Sequence, residues 1–236
     1  MPQLETTHRE LLDLQRAMLD DQHFKSLCLA HGLPWSPAEG YEPRWYGGPA
    51  SKDVELLFLM AEPGPITPTE AKKLLPAINH DSWLRDRNLI LQEHYWRLNL
   101  KTLCSYVWPE NTEQMMEKHL AGSCTFWMSL PHGSTTKSVP KPLITYFSNT
   151  YLREFLGLFP NALFLAAGRK ARDRLRGLGI DYEHCWAFTR PGCNRHKARE
   201  SWADAGKALA SAMTQRSIGE RRANGANADA IDSVSR

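Results

Sequence analysis

No stretch of the 236-residue sequence reaches the roughly 18 consecutive apolar residues that a membrane-spanning helix needs, and Met1 to Glu10 lacks the apolar core of a signal peptide. No membrane partner is expected, and the expected location is cytoplasmic. Cysteine is sparse: Cys28, Cys104, Cys124, Cys185 and Cys193 are scattered without a C-x-x-C pair. That spacing argues against a disulfide framework, a zinc ribbon or a four-thiolate iron–sulfur cluster, so no metal or cofactor is expected. Cys28 reads as a buried thiol rather than as a ligand paired with His31. The first apolar run is followed by neither G-x-G-x-x-G nor a P-loop lysine, which disfavours a nucleotide-binding protein.

The charge that is present is unevenly placed. The formal net charge is only +3, yet residues 169 to 199 carry nine Lys or Arg against three acids. A surface facing a polyanion accounts for such a cluster, and a solvated helix face is the competing account. With 42% hydrophobic and 23% charged residues, the chain has the composition of a globular protein with one core. Residues 1–213 are expected to form that single domain. Residues 214–236, which lose apolar periodicity, are expected to form a disordered tail.

Four apolar runs, Val54 to Met60, Cys124 to Leu130, Ala162 to Ala167 and Cys185 to Phe188, read as buried strands. Helical patterns alternate with them. The capping box Thr7 with Glu10 opens a peripheral helix; others run from about Asn88 to Val107, from Asn111 with Gln114, over Tyr151 to Phe159, between Gly168 and Gly179, and from about Ala198 to Met213. In the 168–179 segment, Ala171, Leu175 and Leu178 are expected to face inward and the arginines outward. Strand and helix in alternation predict an α/β fold, a three-layer α/β/α sandwich with a central, mainly parallel four-stranded sheet.

Ligands of such sheets bind outside the carboxyl ends of the strands. Glu62 stands there, between a strand and the turn Pro63-Gly64, where a carboxylate can be held rigidly for catalysis; a loop cap accepting backbone N–H bonds is its competing role. Ala61, Pro63 and Gly64 would line the same site. Arg190, Asn194 and His196 follow the fourth run and are candidate donors to an anion. The loop 131–141 supplies Ser134, Thr135, Thr136 and Lys137 for phosphates, and Arg169, Lys170, Arg195 and Lys197 add charge. Trp45 and Tyr46, in the Pro/Gly-rich stretch 33–52, are candidates to stack on a base.

Taken together, the span from about Pro43 to Leu209 resembles the uracil-DNA glycosylase superfamily. Met60-Ala61-Glu62-Pro63-Gly64 is similar to that family's G-x-x-P-G catalytic motif, with Met60 in place of the first Gly. An Arg-Trp-Tyr-Gly segment precedes it, and Tyr151 to Gly168 is similar to the family's helix, Pro, strand and Gly. The resemblance implies a monofunctional, base-flipping DNA glycosylase with Glu62 where mismatch-type relatives carry a catalytic Asn. The second motif, usually His-Pro-Ser, falls on Arg190-Pro191-Gly192, so either Arg190 or His196 would stabilise the leaving base. Many uracil-specific members end the second strand with a base-reading Asn; here the region reads Met128-Ser129-Leu130-Pro131-His132. The small Ser129, Gly133 and Ser134 would leave room for a substituent, and His132 is a further candidate to contact the base. The implied substrate is a modified pyrimidine, such as the glucosylated hydroxymethylcytosine of phage DNA, in antiviral defence. A repair glycosylase for uracil or mismatched thymine, and a non-catalytic binder of modified DNA, are the alternatives. The partner is DNA, and the protein is expected to act as a monomer without an obligate protein partner.

Overall fold

The structure, a computed structural model, describes residues 6–33, 35, 46–48, 54–62, 95–128 and 138–234; of these, the side chains of residues 6–8, 12, 46, 47, 95 and 219–234 stand outside the description. In chain order the elements are α1 (Thr6–Asp20), α2 (Gln22–Ala30), β1 (Tyr46–Gly47), β2 (Leu56–Met60), α3 (Tyr95–Val107), α4 (Thr112–His119) and β3 (Leu120–Cys124). Then follow α5 (Lys141–Phe147), a π-helical turn (Ser148–Leu152), α6 (Arg153–Gly157), β4 (Leu163–Ala167), α7 (Arg169–Leu178), β5 (Glu183–Cys185) and α8 (Ala198–Val234).

The sheet order is β1-β3-β2-β4-β5. β3, β2, β4 and β5 are parallel, and the two-residue β1 closes the β3 edge antiparallel. This is the α/β/α sandwich expected, and alternation along β2 builds its layers. Leu57 and Leu59 face one core with Ala121, Ala166 and side chains of α1, α2, α5, α6 and α7. Leu56 and Phe58 face the other, with Leu165, Trp96 and Leu103 of α3, Met116 of α4 and Trp202 of α8.

Several sequence expectations are corrected. The second strand is Leu120–Cys124, not Cys124 to Leu130. Its Gly122 has no room for a side chain, because a Cβ there would lie 2.1 Å from the Phe58 ring. Phe126, Trp127 and Met128 are buried, but as core filler in the bend after the strand, with Trp127 Nε1 donating to the Cys124 carbonyl at 3.0 Å. The fourth strand is Glu183–Cys185, which leaves Trp186 to Phe188 beyond its end. The first helix is not peripheral: Leu11, Leu14 and Met18 are all in the core. The expected helix at 151–159 is the latter part of a continuous run of helical turns beginning at Lys141. Asn111 precedes α4 as expected but makes no side-chain capping bond. The last helix does not stop near Met213 but continues to Val234, through a segment without proline. Of the 88–107 pattern, the helix from Tyr95 is described; Asn88 lies outside the described residues.

Topology locates the place to look for a site. The next described element after β2, α3, lies with α4 on one face of the sheet, whereas β4 is followed by α7 on the opposite face. β2 and β4 are neighbours, so their carboxyl ends mark a topological switch point, the place where open α/β sheets bind ligands.

Candidate active site

At that switch point β2 ends in Ala61 and Glu62, facing the first turns of α7. The Glu62 carboxylate receives Arg174 Nη2 on Oε1 at 2.5 Å, and Lys170 Nζ lies 3.3 Å from both oxygens. The Glu62 and Arg174 side chains are 10% and 8% exposed, that of Lys170 43%. Arg174 Nη1 donates to the Ala61 carbonyl at 2.6 Å and to Thr125 Oγ1 at 2.9 Å. The Thr125 hydroxyl, at the end of β3, lies 3.0 Å from both the Met60 and Ala61 carbonyls. One guanidinium therefore ties together the ends of β2 and β3 and holds the carboxylate in a single orientation. Charge-assisted bonds of this kind are the strong ones.

Arg174 and Thr125 were not singled out from the sequence, and Arg174 contradicts the expectation that the arginines of α7 face outward. The signal was present. Ala171, Arg174, Leu175 and Leu178 have the i, i+3, i+4, i+7 spacing of a helix's buried stripe, and Ala171, Leu175 and Leu178 are buried. A cation on that stripe requires a partner, and Glu62 provides it.

Of the other expected residues, Ala61 and Lys170 join Glu62 directly. Arg169 is exposed on the same first turn of α7, and Arg190, Asn194, Arg195, His196 and Lys197 all project from the turn after β5. One close approach, of Gly168 to Ala187, presses that turn against the start of α7, and a second, of Gly192 to the same Ala187, keeps the turn itself tight. A Cβ at Gly168 would lie 3.1 Å, and one at Gly192 2.7 Å, from the Cβ of Ala187. Gly168 also has φ +96°, a backbone conformation suited to glycine. The cations of the two loops thus share the carboxyl edge of the sheet. With β4 between them, β2 and β5 are about 10 Å apart, two strand spacings. Among the described residues no hydrogen bond or ion pair joins Glu62 to Arg190, Asn194 or His196.

The backbone of Tyr46 pairs with Ser123, one residue before the end of β3, and so reaches the same edge. Trp45, Pro63, Gly64, Ser129, His132, Ser134, Thr135, Thr136 and Lys137 lie outside the described residues. Among the described residues no group of three or more His, Cys, Asp or Glu could hold a metal, and no helix is long and apolar enough to cross a membrane. Burial pushes the Cys28 thiol up to about 12, assisted by the charge of Asp21, as befits a core residue.

What the arrangement offers is an immobilised carboxylate beside a cationic rim, at the position where open α/β sheets bind ligands. No family model matches the chain, and no curated protein matches it.

Proposed function

We propose that the protein binds DNA along the carboxyl edge of its sheet and hydrolyses the N-glycosidic bond of a modified pyrimidine, such as glucosylated hydroxymethylcytosine of phage DNA. One observation carries this reading: Glu62 is fixed at the switch point by Arg174 and Lys170, within the segment that resembles a glycosylase motif. The target nucleotide is flipped out of the duplex toward Glu62. As the bond between C1′ and the base breaks, its electron pair leaves with the base and positive charge grows on the sugar. Glu62 stabilises that charge, orients a water and takes its proton while the water oxygen bonds to C1′. Arg190 or His196 stabilises the departing anion, with Asn194 as a further donor. Arg169, Lys170, Arg195 and Lys197 hold phosphates, and Arg174 keeps Glu62 in place. The enzyme acts as a monomer, without metal or cofactor, and leaves an abasic site that blocks phage replication.

A second reading, a binder of modified DNA without catalysis, is favoured by the ion pair itself, since Glu62 already has two cationic partners. One experiment separates the two. Duplexes carrying uracil, a T·G mismatch, hydroxymethylcytosine or its glucosylated form are incubated with the protein and treated with mild alkali to cleave abasic sites. The expected result is release from the glucosylated substrate, abolished in Glu62→Ala. Release from uracil or the mismatch alone would mean a repair enzyme, and tight binding without release from any duplex would mean the silent binder.

A further inference from the structure

Trp186 follows β5 directly, and its backbone is gripped from the α8 side. Its amide donates to Ser201 Oγ at 3.1 Å, and its carbonyl accepts from the Trp202 indole at 2.9 Å. Trp202 is buried, but Trp186 is 44% exposed. Its backbone is therefore held while its side chain is open to solvent, at the same edge of the sheet as Glu62. The Arg195 guanidinium lies 5.9 Å from the centre of its ring, a cation–π distance. Beside it opens a cavity of about 500 Å³ bounded by Trp186, His184, Lys197, Glu200, Ser201 and Asp204.

We infer that Trp186, with Arg195 and Lys197, forms a subsite for an unpaired nucleotide of a DNA strand, separate from the Glu62 site. Every base has an aromatic face, so an exposed indole binds bases with little regard to sequence. Arg195 and Lys197 suit the flanking phosphate, and the carboxylates of Glu200 and Asp204 suit the N–H edge of the base. The inference rests on the DNA-facing part of the proposed function, not on its glycosidic chemistry.

The test uses the full chain and an unmodified 12-nucleotide single strand, with the matching duplex as comparison. Trp186→Ala is expected to weaken single-strand binding about tenfold or more, Trp186→Phe to restore it, and duplex affinity to change much less. The substituted ring is exposed, and circular dichroism checks that both variants keep their fold. Equal single-strand affinity of wild type and Trp186→Ala would overturn the subsite. An equal loss on single strand and duplex would overturn its preference for an unpaired nucleotide, and competition by free dCMP at the strand's own concentration would reassign it to free nucleotides. If wild type binds neither DNA, the subsite and the proposed function fall together. If the Trp186 effect appears without base release from any substrate, the subsite stands and the glycosylase reading falls.

Discussion

Replacing Arg174 with Ala removes a group that Glu62, the Ala61 carbonyl and the Thr125 hydroxyl share, at 2.5, 2.6 and 2.9 Å. The Glu62 side chain is only 10% exposed, so it is left with Lys170 at 3.3 Å as its cationic partner. Breaking a buried pair by deleting one partner costs about 3 to 5 kcal/mol. Glu62→Ala should cost less, about 1 to 3 kcal/mol, because Arg174 keeps its bonds to Ala61 and Thr125. The double variant should be more stable than the sum of the single losses implies, by a coupling of about 2 kcal/mol. Urea unfolding followed by circular dichroism measures all four corners of this cycle. For Arg174→Ala the midpoint should fall by about 1 M or more at unchanged slope. Losses that add to within about 0.5 kcal/mol would refute the idea that Arg174 acts chiefly by holding Glu62.

Asp21 offers a pH test away from the site. It caps α2 through the amides of His23 and Phe24 and accepts the hydroxyls of Tyr146 and Tyr151 on its other oxygen. The π-helical turn brings these two tyrosines, five residues apart, onto one face. Burial opposes the Asp21 charge, but the bonds from Tyr151, the Phe24 amide, Tyr146 and the His23 amide outweigh it and hold the carboxyl below its usual value. The stability this contributes is full above the unfolded carboxylate value near about pH 4 and is lost as pH falls through the folded value, so Asp21→Asn should flatten the acid limb of a Tm-versus-pH curve. An acid limb as steep as wild type would contradict it. Burial, then the bond to Asp21, raises Tyr151; its contribution is present below about pH 10 and lost as pH rises through the folded value, so Tyr151→Phe should flatten the alkaline limb in the same scan. Gly122→Ala puts a methyl into the Phe58 ring, itself packed against Trp96 and Phe188, and should lower Tm by roughly 4 to 8 °C. Adding Phe58→Leu should recover part of that loss; an unchanged Tm in Gly122→Ala would contradict the packing.

How much of this was legible in the sequence depended on whether a local signal matched a local cause. α7 was found between Gly168 and Gly179 because Gly179, at φ +67°, ends the helix in the left-handed conformation. β3 was misplaced because Leu-Ala-Gly-Ser-Cys has little strand character by itself. Gly122 is small to admit Phe58, a partner 64 residues earlier, while the more apolar Phe126-Trp127-Met128 drew the strand assignment to a bend. Glu62 was legible from its position between a strand and a Pro-Gly turn. Its partners were not, because they depend on β4 pairing with β2 and delivering α7 beside it. Arg174 was hidden among the other cations of its helix, and only its register on the buried stripe sets it apart. Trp186 was absorbed into an overlong fourth strand, though it lies just past the strand's end.

The central claim is that Glu62 performs chemistry rather than only anchoring α7, and Glu62→Gln separates these roles because the amide keeps the shape and one acceptor oxygen for Arg174. The measurement is the single-turnover rate of base release from glucosylated hydroxymethylcytosine duplex, alongside the Kd for the same duplex. The account predicts a rate at least about 100-fold lower with Kd within about threefold of wild type. A Glu62→Gln rate close to that of wild type would contradict it.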